Sequence, residues 1–268
     1  MNPVEVTGVP AHETSEFTWT SASRSDPGRV REVNEDACLE QPRCGVWVVA
    51  DGMGGHSLGE FASRLAIRSL IDLPDEGSLE QRVLAVEARL KDANRRLRTE
   101  AARRDVPVIG TTVAALIVCG RRFACVWAGD SRVYLYRAGR LHQLTRDHSQ
   151  IEAMRSQYAD SDETLDRPPS NVITRALGGY DVLELDAVGA DVSDGDIFLL
   201  CSDGLSNEVS EAAIGQALLP GSCRLAVETL VNQALERGGR DNITAVVVRA
   251  EDLRSPDRTV LQPVLNAD

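Results

Sequence analysis

The feature that most constrains this chain is a short apolar run, Gly45 to Ala50, ending on one carboxylate, Asp51, in the bend Gly52-Met53-Gly54-Gly55-His56. Such a run reads as a buried strand. A helical pattern starts at once beyond it, with Leu58, Phe61, Ala62, Leu65, Ala66 and Leu70 on one stripe. Asp and Gly are common turn residues, so the stretch alone also describes a capped strand-to-helix turn. Repetition raises the chemical reading. Asp36, Asp51, Asp130, Asp203 and Asp241 each sit beside a candidate strand, next to glycine or another polar turn residue.

Gathered at one edge of a core, these carboxylates would repel one another unless cations neutralised them. Oxygen donors without His or Cys suit Mg2+ or Mn2+ rather than Zn2+. Two such ions roughly 4 Å apart can share a water, lower its pKa and aim it at phosphorus. Arg31 is then the natural clamp on phosphate oxygens, because its planar fork donates two parallel hydrogen bonds. Glu35 and Asp36 are adjacent, so in a regular strand they face opposite ways and cannot both reach one ion directly. Other chemistries fail on spacing. The glycine bend lacks the Gly-Lys-Ser/Thr of a nucleotide loop, and the chain has no His-Glu-x-x-His and no Gly-x-Ser-x-Gly.

The rest of the chain reads as one large domain with loose ends. Residues 1–16 are expected to be a mobile arm, 17–250 the domain and 251–268 a charged tail. Phe17, Trp19 and Ser21 alternate like a strand, and residues 78–104 carry one long amphipathic helix. Gly129-Asp130-Ser131-Arg132 is expected to be a hairpin turn within a meander of antiparallel strands. Residues 145–177 are expected to form a surface flap, made acidic by Asp160, Asp162, Glu163 and Asp166. Asp191, Asp194 and Asp196 read as a solvated turn, and His142 and His148 as structural.

A net charge of −12 over 268 residues argues against a nucleic-acid backbone as partner. The six cysteines are scattered with no Cys-x-x-Cys, which suits a reduced cytoplasmic protein. No stretch reads as a signal peptide or membrane span, so a soluble protein without membrane attachment is expected.

Seven pieces then fall in a familiar order: Val30-Arg31-x-x-Asn34-Glu35-Asp36, Val49-Ala50-Asp51-Gly52-Met53-Gly54-Gly55-His56, Gly110-Thr111-Thr112, Gly129-Asp130-Ser131-Arg132, Thr174-Arg175-Ala176-Leu177-Gly178, Ser202-Asp203-Gly204-Leu205 and Arg240-Asp241-Asn242. In them the chain resembles the metal-dependent type 2C serine/threonine protein phosphatases in their compact bacterial form. The resemblance implies an α+β fold, a four-layer α/β/β/α sandwich of two antiparallel sheets with helices outside. It implies two core Mn2+ or Mg2+ ions bridged by Asp51, with the Gly52 carbonyl on one and Asp203 and Asp241 on the other. Asp36 and Glu35 would hold or orient waters, Asp130 with Asp203 would take a weaker third ion, and Arg31 would bind the substrate phosphate. Direct attack by water, without a phosphoenzyme, is implied too. So are phosphoserine and phosphothreonine proteins as substrates, and as partner a bacterial serine/threonine kinase whose action is reversed. A monomer is expected.

One position departs from the animal members, which carry histidine directly after Asp-Gly where this chain has Met53. That leaves the general acid open between His56 and a water on the third ion. A non-catalytic sensing module on the same fold is the competing class. Such modules lose ligands, whereas all the expected acids stand here. A sporulation-type phosphatase fits the Arg31 and Asp241 motifs less well.

Overall fold

The structure, a computed structural model, describes residues 17–54, 58–157, 172–219 and 221–254. Its first half comprises β1 (Phe17–Asp26), β2 (Asp36–Gln41), β3 (Val46–Met53), α1 (Leu58–Ser69), α2 (Leu79–Arg103), β4 (Gly110–Thr111), β5 (Val113–Cys119) and β6 (Arg122–Ala128). The second half comprises β7 (Arg132–Arg137), β8 (Arg140–Gln143), α3 (Gln150–Gln157), β9 (Asp186–Asp191), β10 (Ile197–Cys201), α4 (Asp203–Ser206), α5 (Glu211–Leu218), α6 (Cys223–Glu236) and β11 (Ile243–Asp252).

All strand pairings are antiparallel, in two sheets. One runs β1-β11-β10-β7-β8, the other β2-β3-β5-β6-β9, with β4 attached to β3. Side chains of a strand alternate between faces, and each central strand here is apolar on both, so each sheet must be covered twice. Val46, Val48 and Ala50 of β3 pack with the stripes of α1 and α2. Trp47 and Val49 of the same strand face the other sheet, joining Phe198 and Leu200 of β10 and Val246 and Val248 of β11. Ile197, Leu199 and Cys201 turn outward onto α5 and α6. Three apolar layers between four layers of structure make the expected α/β/β/α sandwich.

The long helix is well anchored at its start. Ser78 Oγ accepts from the Gln81 amide while Gln81 Oε1 accepts from the Ser78 amide, a capping box. Halfway down its first turns, the buried Arg82 guanidinium donates to the Val118 and Cys44 carbonyls.

Four sequence expectations change. The Gly129–Arg132 stretch is no hairpin: β6 and β7 lie in different sheets, so these residues carry the chain across the sandwich. Asp196 is not solvated. It is 1% exposed, accepts both Arg137 nitrogens at 2.7 and 2.6 Å, and takes the Ser193 amide at 2.8 Å. Residues 251–252 belong to β11 rather than to a loose tail. The short helix α4, begun by Asp203 itself, was not expected.

Residues 1–16 and 255–268, His56 and the flap acids Asp160, Asp162, Glu163 and Asp166 lie outside the described residues. The six cysteines are free thiols, and no helix among the described residues is long and apolar enough to cross a membrane.

Candidate metal centre

Strand parity places the acids. Asp51 follows Trp47 and Val49 on the face of β3 that looks at the other sheet, and Asp36 stands directly opposite it in the β2–β3 register. Ser202 continues the inward parity of Phe198 and Leu200, and Thr244 that of Val246 and Val248. The two sheets therefore meet at Asp36: its Oδ2 accepts from Ser202 Oγ at 2.8 Å and from Thr244 Oγ1 at 2.7 Å. Its Oδ1 is buried with no hydrogen-bond partner.

The Asp51 main chain is locked from below. Its amide donates to Thr112 Oγ1 at 3.0 Å, and its carbonyl accepts from the Thr112 amide and Thr111 Oγ1, both at 2.9 Å. This gives the Gly110-Thr111-Thr112 motif a physical purpose. Gly52 is equally constrained. A Cβ there would overlap the Gly59 carbonyl and come within 2.6 Å of the Glu35 carbonyl, so only glycine lets the strand end slide between α1 and the approach to β2.

Asp203 and Asp241 arrive from the other sheet. Asp203 lies beside Asp51 and accepts from Asn207 Nδ2 at 3.2 Å. Asp241 accepts from the Asn242 amide at 2.9 Å and from Arg31 Nη2 at 2.9 Å. Asp130 comes from the crossover between the sheets, where Ser131 Oγ pairs with Thr112 Oγ1 at 2.7 Å. Asn242 ties the rim together: its Oδ1 takes the Glu35 amide, and its Nδ2 donates to the Pro27 and Val33 carbonyls.

Electrostatics confirms that these acids crowd one another. Burial, then Asp36, Asp203, Asp130 and Asp241 in turn, push Asp51 well above the usual carboxylate range. Burial lifts Asp36 to about 7 against the pull of Thr244 and Ser202. Asp130 is lifted to about 7 by burial and then by Asp203 and Asp147. A rise of that size costs the charged form on the order of 4 kcal/mol. Asp203 is raised by burial and then by Asp241, with its neighbour Asp51 pulling the other way.

Glu35 stands apart from this cluster. Its Oε1 accepts from the Gly59 amide at 3.2 Å, at the start of α1, and Glu35 itself precedes β2, so the two acids are not adjacent on a strand as expected. Arg31 is half-exposed and folded onto Asp241, so the expected phosphate clamp is engaged by an acid of the cluster. Among the described residues no three acid, histidine or cysteine side chains already clasp one point. Even so, an all-oxygen donor set, an orphaned buried carboxylate oxygen and mutual elevation of four acids fit hard divalent cations.

Sequence reasoning missed the groups that hold these ligands: Thr111, Thr112, Ser131, Ser202, Thr244 and Asn242. All but Thr244 fell inside the quoted motifs, and Ser131, Ser202 and Asn242 each stand next to an acid in the sequence, which was the available signal.

Residues 28–237 match the family model described as Protein phosphatase 2C. The serine/threonine protein phosphatase PstP of Mycobacterium tuberculosis is 36% identical over 246 residues, covering 91% of this chain and 47% of that protein. The chain thus spans about half the length of that relative. Among solved structures, PppA, a key regulatory component of T6SS in Pseudomonas aeruginosa, superimposes with a TM-score of 0.81 at 43% identity, over 87% of this chain and 97% of that one. The catalytic domain of PstP in complex with two manganese ions gives 0.79 at 35% identity, over 88% and 100%.

Proposed function

The chain belongs to the protein phosphatase 2C family, and from that premise we propose that it is a metal-dependent phosphatase of phosphoserine and phosphothreonine proteins. The observation that carries the reading is the crowding of Asp36, Asp51, Asp130 and Asp203 at one end of the inter-sheet core, each raised by burial and then by its neighbours. A fold that accepts this repulsion gains from it only when cations bind there.

Asp51 and the Gly52 carbonyl would hold one ion and Asp51, Asp203 and Asp241 the other, as Mn2+ or Mg2+. Asp36 and Glu35 would orient waters, and Asp130 with Asp203 would take a weaker third ion. When bound, such ions neutralise the carboxylates and lower the pKa of a water shared between them. The chain's own residues do the rest. Ser202 and Thr244 occupy one oxygen of Asp36 and leave the other for a further partner. Thr111 and Thr112 stop the Asp51 main chain from swinging. Arg31 exchanges Asp241 for the substrate phosphate, to which its fork donates. Direct hydrolysis by water, without a phosphoenzyme, is the proposed route, the aspartates serving as ion ligands rather than as nucleophiles. A bacterial serine/threonine kinase is the proposed counterpart, in the cytoplasm, with the phosphatase as a monomer.

Arg31 gives the reading a sharp test. In Arg31→Ala the KM for a phosphothreonine peptide is expected to rise about 10–100-fold, the worth of a charge-assisted hydrogen bond of about 1.5–3 kcal/mol. The Mn2+ concentration for half-activation should stay level or fall, because Asp241 loses a competing cation. Steady-state kinetics at several Mn2+ concentrations would check both. An unchanged KM would remove Arg31 from phosphate binding.

A further inference from the structure

His148 lies outside every metal-ligand motif, yet it grips the loop that carries Asp130. Gly129 donates its amide to His148 Nδ1 at 3.1 Å, and the His148 amide donates to the Gly129 carbonyl at 2.9 Å. An imidazole nitrogen that accepts cannot carry a proton, so the hydrogen must sit on Nε2. That nitrogen faces Asp186 Oδ2 at 3.1 Å, and Arg175 Nη1 holds the other Asp186 oxygen at 2.8 Å. The ring stacks on Trp127, tilted only 11°, and Trp127 Nε1 donates to the Arg146 carbonyl. The imidazole is therefore fixed in orientation and in tautomer. Burial lowers its pKa against the pull of Asp186.

Gly129 itself has no slack. Its φ is +112°, and a Cβ would come within 2.6 Å of Thr112 Cγ2. Thr112 also bonds Ser131 Oγ and the Asp51 amide. The crossover is thus held on one side by Thr112 and on the other by His148, with Asp130 between.

We propose that His148 is the positioning residue of Asp130: a neutral imidazole, set by Asp186, that holds the Gly129 amide and so aims the neighbouring carboxylate at the acid cluster. The inference rests on the phosphatase reading for its consequence in activity, but its structural half does not.

The test compares wild type, His148→Leu and His148→Asn. Leucine fills the space beside Trp127 but accepts no hydrogen bond, whereas asparagine offers Oδ1 where Nδ1 stood. Exchange of the Gly129 amide is read by NMR in chelated protein, and Mn2+ activation is titrated separately. In His148→Leu, Gly129 exchange should be at least about 10-fold faster and the Mn2+ midpoint about 10–100-fold higher, with peptide KM within about threefold, the pattern of a lost supporting shell. His148→Asn should recover most of both. Unchanged Gly129 exchange in the leucine variant, or equal losses in the two variants, would overturn the proposal. Should leucine prevent folding, Asp186→Ala at a half-exposed position gives the same reading: faster Gly129 exchange supports it and none overturns it. Wild-type protein silent toward the phosphopeptide would sink the phosphatase reading instead, and Gly129 exchange would still decide the role of His148.

Discussion

Asp51→Asn is expected to abolish metal-dependent phosphate release and, in chelator at pH 8, to make the protein harder to unfold. The substitution keeps the shape of the side chain and removes one charge from a site where burial and four other acids oppose it. An amide can still donate toward Asp203. Relief of the repulsion should stabilise the chelated protein by about 1–3 kcal/mol, or roughly 3–8 °C in Tm for a domain of this size. Activity should fall at least about 10³-fold, since the carboxylate proposed to hold both ions would give way to a weaker neutral donor. The pH window follows from carboxylates whose folded-state pKa is raised, Asp36 and Asp130 from 3.8 to about 7. Such groups bind protons more tightly folded than unfolded, so chelated wild type loses stability as pH rises from 3.8 through 7. The Asn advantage should grow over that span and vanish in acid. Thermal melts in chelator at pH 5 and pH 8 would check it, and a lower Tm for Asp51→Asn at pH 8 would contradict the crowding.

Gly52→Ala, one residue on, should inactivate with the opposite effect on stability. Its Cβ would overlap the Gly59 carbonyl and press on that of Glu35, and both are backbone atoms that no rotamer change can clear. The Glu35 carbonyl already accepts from the Gly52 amide at 3.2 Å and from Ser63 Oγ at 2.5 Å, so it cannot retreat without breaking both bonds. Overpacking of this kind costs about 3 kcal/mol or more, roughly 6–12 °C in Tm, in chelator and in Mn2+ alike. Two neighbouring substitutions would then share a loss of activity while moving Tm in opposite directions. Equal Tm for Gly52→Ala and wild type would mean that the strand end has room the structure denies it.

Much of this architecture was legible in the sequence because strand parity and helix stripes are local. Gly45–Ala50, Ile197–Cys201 and Ile243–Val248 are apolar enough to be central strands, and each leads into or out of an acid. The placement of Asp203 and Asp241 beside strand ends follows from that alone, whereas β3 runs past Asp51 to Met53 through its pairing with β4. Register did not follow. Nothing local says that Asp36 faces Asp51, or that Ser202 and Thr244 reach Asp36 from the opposite sheet, because such pairings span up to 208 residues. The crossover at Gly129–Arg132 was misread as a hairpin for the same reason: a glycine-rich turn permits both routes, and only the partners of β6 and β7 decide. Asp196 looked solvated until Arg137, 59 positions away, was found against it. Asp36 and Glu35 do diverge, but Glu35 precedes β2, so its direction comes from the bond to the Gly59 amide rather than from the pleat.

The measurement that tests the central claim most directly is phosphate release from a phosphothreonine peptide by wild type in Mn2+, by wild type in chelator, and by Asp203→Ala in Mn2+. Release that requires the metal and is lost in Asp203→Ala is the expected result. Release that persists in chelator, or in Asp203→Ala at the wild-type rate, would contradict the site. No release under any metal, while calorimetry still registers Mn2+ binding, would contradict the phosphatase and leave a sensing module on the same fold.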